Sequence, residues 1–95
     1  MFIVLLKFSD NKTLAGQYMD GHKVWLQRGF DDGVFLLSGS LQPNQGGGIV
    51  AYNTTLMDLQ DRVNQDPFVE HSVVSADIME LAIARADERL QFLLG

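Results

Sequence analysis

The sequence predicts a ferredoxin-like α+β sandwich, with strands and helices in the order β-α-β-β-α-β and a short C-terminal helix. Three observations carry that expectation. Residues 2–8, FIVLLKF, are apolar on both alternating sets, as in a strand covered on both faces. Residues 14–30 carry apolar side chains at helical spacing. The turn-forming run QPNQGGG then separates two further apolar stretches, as in a hairpin.

The elements follow in order. SDNKT supplies capping residues for a helix from about Leu14 to Phe30, which presents two neighbouring apolar rows: Leu14, Tyr18, Trp25 and Ala15, Met19, Leu26. His22 lies between the rows, four residues after Tyr18 and three before Trp25, and so faces inward. DDG stops this helix, and VFLLSGSL is a second strand that is again apolar on both faces. IVAYN is a shorter third strand, with Gly46 to Gly48 in the loop before it; that loop lacks both a phosphate-loop lysine and a following helix. Thr55 and Asp58 resemble a capping box opening a helix with Leu56, Leu59 and Val63 on one side. NQDP ends it, because a residue before proline avoids helical geometry. VVSADIMELAI is a fourth strand whose alternation slips between Ile78 and Met79, predicting a bulge or a two-sided environment there. In ADERLQFLLG, Ala86, Leu90, Leu93 and Leu94 fall at the spacing of a short amphipathic helix.

Right-handed crossovers put both long helices on one face of the antiparallel sheet. The other face is left bare although its strands are apolar on both sides, which predicts a homodimer through that face. At 95 residues the chain is read as a single domain, 1–95, with an ordinary 46% hydrophobic and 20% charged composition. A net charge of -5 with scattered basic residues speaks against nucleic acid as a partner. The absence of cysteine fits a reducing compartment, and a cytoplasmic location is expected. The opening MFIVLLKFSD lacks the basic start and cleavage site of an export signal, and no segment is long enough to span a membrane.

A histidine on an apolar stripe has two readings: a core ring satisfied by a polar neighbour, or an acid-base group in a pocket. Ser38 and Gly39 on the second strand could line the same pocket, the glycine allowing close approach and the hydroxyl orienting a substrate oxygen; the alternative is a strand with a glycine kink. Asp66, Glu70 and His71 could be considered as metal ligands, but no zinc-type histidine spacing occurs and no metal is expected. Trp25, Tyr18 and Phe30 read as core residues.

In their order along the chain, GHKVWL, GVFLLSGSLQP, GGGIVA, DPFVEHSVVSADIMEL and ADERLQFLL resemble the YciI-like (YCII-related) family of the dimeric α+β barrel superfamily. The resemblance covers most of the chain. It implies a ferredoxin-like fold, a dimer and a centre built on a histidine and an aspartate, which carry over to His22 and Asp66. Many relatives have an arginine where this chain has Met19, and a proline where it has Ser40. The topology supports the pairing, since the fourth strand begins beside the end of the first, near the start of the helix that bears His22. An aspartate accepting Nδ1–H would leave Nε2 free to move a proton. The expected activity is proton transfer on a small organic ligand, of isomerase or lyase type, without a tightly bound cofactor; the alternative is a non-enzymatic ligand-binding or accessory protein of the same fold.

Overall fold

The alternation in Phe2–Phe8 resolves into two faces of a central strand, β1. Phe2, Val4 and Leu6 are buried, whereas Ile3 and Leu5 on the other face are only half-buried. The computed structural model describes residues 1–94. After β1 come a 3-10 turn at Lys12–Leu14, α1 (Ala15–Asp31), β2 (Phe35–Leu41), β3 (Gly46–Ala51), α2 (Leu56–Asn64), α3 (Pro67–Glu70) and β4 (Val74–Glu80). The strands form one four-stranded antiparallel sheet in the order β2-β3-β1-β4, which is the ferredoxin-like arrangement.

The helices bury one side of this sheet. Trp25 of α1, Leu59 and Val63 of α2 and Phe68 of α3 join Phe2, Val4, Leu6, Ile49 and Ala51 in one core. Thr55 caps α2 as its spacing predicts, its hydroxyl accepting the Asp58 N–H at 3.1 Å. On the opposite face, Leu37, Val50, Ile3 and Met79 stand in register across all four strands. Leu37 is 55% exposed and Met79 48%, so this apolar row is bare in the single chain. No helix among the described residues is long and apolar enough to cross a membrane.

Four expectations need correction. Gly46 to Gly48 are not loop: they pair with Lys7, Leu6 and Leu5 of β1 and with Leu41, Ser40 and Gly39 of β2, so the hairpin turn is shorter than the sequence suggests. Of the two readings at Ile78–Met79 the bulge is absent, since β4 pairs with β1 in unbroken register; a bulge lies instead between Phe35 and Leu37. DPF does more than end a helix, because it opens α3. The tail forms 3-10 turns over Glu88–Leu94 with no buried residue; the final Gly95 of that segment lies outside the described residues.

The bulge in β2 has a packing cause. The Phe35 ring lies directly under Gly29 of α1 and meets Trp25 edge-on, with centroids 5.2 Å apart. Leu36 is the extra residue that lets Phe35 point inward while Leu37 points out, and it brings Ser38 and Ser40 to the helix-facing side. A β-carbon on Gly29 would overlap the Phe35 ring. Gly29→Ala is therefore expected to destabilise the protein by about 1–3 kcal/mol through overpacking, read as a lower urea midpoint. An unchanged midpoint would contradict the Gly29–Phe35 packing.

Candidate active site

Helical spacing gives α1 two working rows. Tyr18, His22, Trp25 and Gly29 face the core and α3, whereas Met19, Lys23 and Leu26, one step around the helix, line a cavity of about 350 Å³ between α1 and the sheet. His22 belongs to both rows. It borders the cavity and is held from behind by α3.

The holding is specific. The His22 ring lies flat on Phe68, with centroids 4.1 Å apart and planes 5° from parallel. Its Nδ1–H donates to Asp66 Oδ1 at 2.8 Å. Nε2 has no hydrogen-bond partner among the described residues and is not sealed from solvent. Asp66 is fully buried, and the same Oδ1 accepts the Phe68 N–H at 3.0 Å, so the carboxylate caps α3 and orients the ring at once. Oδ2 has no partner among the described residues.

Neighbouring contacts fix this pair. Gly21 lacks a side chain where a β-carbon would stand 3.1 Å from Pro67 Cγ, so α1 and α3 approach closely one residue before His22. One turn back, Tyr18 stacks on His71 at 4.0 Å and 7°. Two parallel stacks therefore join α3 to α1. Trp25 Nε1–H donates to the Arg62 carbonyl at 2.9 Å and ties α1 to α2. Of the Asp66, Glu70 and His71 set, Asp66 is engaged by His22 and His71 is stacked on Tyr18, and no group of three or more potential metal ligands gathers among the described residues.

Ser38 and Gly39 both border the cavity. They do so differently. Ser38 pairs with Ile49 and Ser40 with Gly47, both on the helix-facing side, whereas alternation turns Gly39 toward the other face. A β-carbon on Gly39 would meet nothing within 4 Å, so no close approach within the chain requires that glycine. Lys23, which is not among the sequence candidates, lines the cavity, and so does Ser40, noted in the sequence only as the position where relatives carry a proline. Lys23 did leave a signal: it is the one cation in the row of Ala15, Met19 and Leu26.

The site thus pairs an oriented imidazole with a small, mostly apolar cavity on a ferredoxin-like sheet. No family model matches the chain, and no curated protein matches it in sequence. A solved structure that is similar is 5-chloro-2-hydroxyhydroquinone dehydrochlorinase from Burkholderia phenoliruptrix AC1100, in complex with 2,5-dihydroxybenzoquinone. The match has a TM-score of 0.69 at 10% identity and covers 86% of this chain and 94% of that one. At that identity the likeness is one of fold, which this chain shares with an enzyme.

Proposed function

We propose that the protein is a small-molecule enzyme of YciI-like type in which His22, oriented by Asp66, moves a proton. His22 Nε2 takes a proton from a carbon next to a carbonyl. The C–H electron pair then passes into the carbonyl, giving an enolate and an imidazolium whose Nδ1–H faces Asp66. Returning the proton at a different atom completes an isomerisation; expelling a leaving group with its electron pair completes an elimination. Ser38 and Ser40 offer hydroxyls to the substrate's oxygens, and proton transfer of this kind calls for no tightly bound cofactor.

The observation that carries this reading is the division of labour on one ring: Nδ1 is held by a buried aspartate while Nε2 remains free and the ring borders an open cavity. The dehydrochlorinase of the same fold binds a small ring compound, and a cavity of about 350 Å³ accommodates a ligand of that size. The experiment is deuterium uptake in D₂O at the acidic carbon of phenylpyruvate, followed by proton NMR for wild type and His22→Asn. Acceleration that depends on His22 supports the enzyme. Equal rates with and without the protein would favour the ligand-binding reading instead.

The same reading includes a homodimer. A second copy laid on the bare row of Leu37, Val50, Ile3 and Met79 would remove it from water on both chains. Sedimentation at micromolar concentration should give twice the chain mass of 10.6 kDa. A stable single-chain mass would remove the dimer from the proposal.

A further inference from the structure

Charge is distributed oddly between this cavity and the rest of the molecule. The chain has 12 acidic against 7 basic residues and a net charge of -5. None of the residues bordering the cavity is acidic, and two of them, Lys23 and His22, are the groups able to carry positive charge. Lys23 has no ion-pair partner within 4.0 Å among the described residues. Of the seven Lys and Arg residues only Arg62, on Asp32 at 3.0 Å, and Arg89, on Asp87 at 2.9 Å, are paired among the described residues, and Lys23 is the one of the seven that borders the cavity. An acidic protein that leaves a lysine unpaired over an apolar cavity presents a local attraction for anions.

We infer that this cavity binds a small organic monoanion, such as a carboxylate, whose charge is held by Lys23 and whose apolar body lies among Leu6, Met19, Leu26 and Phe68. The inference deepens the acid-base reading and rests on it for the meaning of the site. Lys23 and His22 are consecutive on α1 and both border the cavity, so the anion and the acidic carbon lie one helical step apart. With its charge on Lys23, the bound molecule presents its C–H bond to Nε2. The lysine also stabilises the negative charge that builds up as an enolate forms, which is where a fixed cation helps a transition state most.

The test compares benzoate with its neutral isostere benzamide, by titrating ¹⁵N-labelled protein at low ionic strength. Benzoate should shift the amides of Lys23, Ser38 to Ser40 and Gly47, and bind about fivefold more tightly than benzamide, as one partly screened charge pair provides. Lys23→Met, at an exposed position, should fold normally and lose that preference, whereas Lys23→Arg should keep it. A lysine-dependent preference without deuterium uptake would defeat proton transfer alone; uptake without the preference would defeat the anion site alone. The inference is overturned if neither probe binds, if both bind equally, if Lys23→Met retains the preference, or if the shifts map to Arg28 and Arg62.

Discussion

His22→Asn is expected to reduce deuterium uptake by phenylpyruvate about 10²–10⁴-fold, the range supplied by a positioned general base. Asparagine is the informative replacement because its side-chain nitrogen occupies nearly the place of imidazole Nδ1. It can still donate to Asp66 Oδ1, so the buried carboxylate keeps a partner. What it lacks is any group at the position of Nε2. This variant should therefore lose only the ring packing on Phe68 and stay more stable than His22→Ala. His22→Ala leaves Asp66 with only the Phe68 N–H and should cost about 1–3 kcal/mol for the orphaned acceptor. Thermal unfolding of the two variants beside their exchange rates separates the chemical role from the structural one. Full exchange in a folded His22→Asn would remove the residue on which the proposed reaction depends.

The site is legible in the sequence to the extent that spacing and topology alone determine it. His22 is placed by its position among Tyr18, Trp25 and Gly29, and helical geometry needs no further information. The approach of Asp66 follows from strand order, because Phe8 pairs with Val74 and the end of β1 thereby meets the start of β4. The features that escape the sequence depend on a neighbour's shape. The bulge in β2 exists because Phe35 has to fit under Gly29, and only that shift turns Ser38 and Ser40 toward the cavity. The glycines of β3 have no side-chain pattern, so strands on both sides decide their conformation. DPF carries a second, local message, since an aspartate before proline is also the signature of a helix cap followed by its first residue. That message gives Asp66 its other hydrogen bond.

The double duty of Asp66 decides what Asp66→Asn should do. An amide here has one oxygen and one nitrogen to place, and the Phe68 N–H, 3.0 Å from Oδ1, requires the oxygen on its own side. Turning the amide over would set two donors against each other. The oxygen therefore stays where it also accepts His22 Nδ1–H, and the nitrogen takes the position of Oδ2, which has no partner among the described residues. Because asparagine caps helices about as well as aspartate, α3 should persist. The histidine should keep the Nδ1–H tautomer, observable in the ¹⁵N shifts of its ring. What disappears is the negative charge facing the imidazolium that forms as His22 accepts a proton. A hydrogen bond to a charged group exceeds a neutral one by roughly 1–1.5 kcal/mol, so exchange should fall about tenfold with the tautomer unchanged. A wholesale switch to Nε2–H would show that the Phe68 amide does not fix the orientation at position 66. Undiminished exchange with the tautomer retained would show that Asp66 serves as a helix cap and ring support, with its charge playing no part in proton transfer.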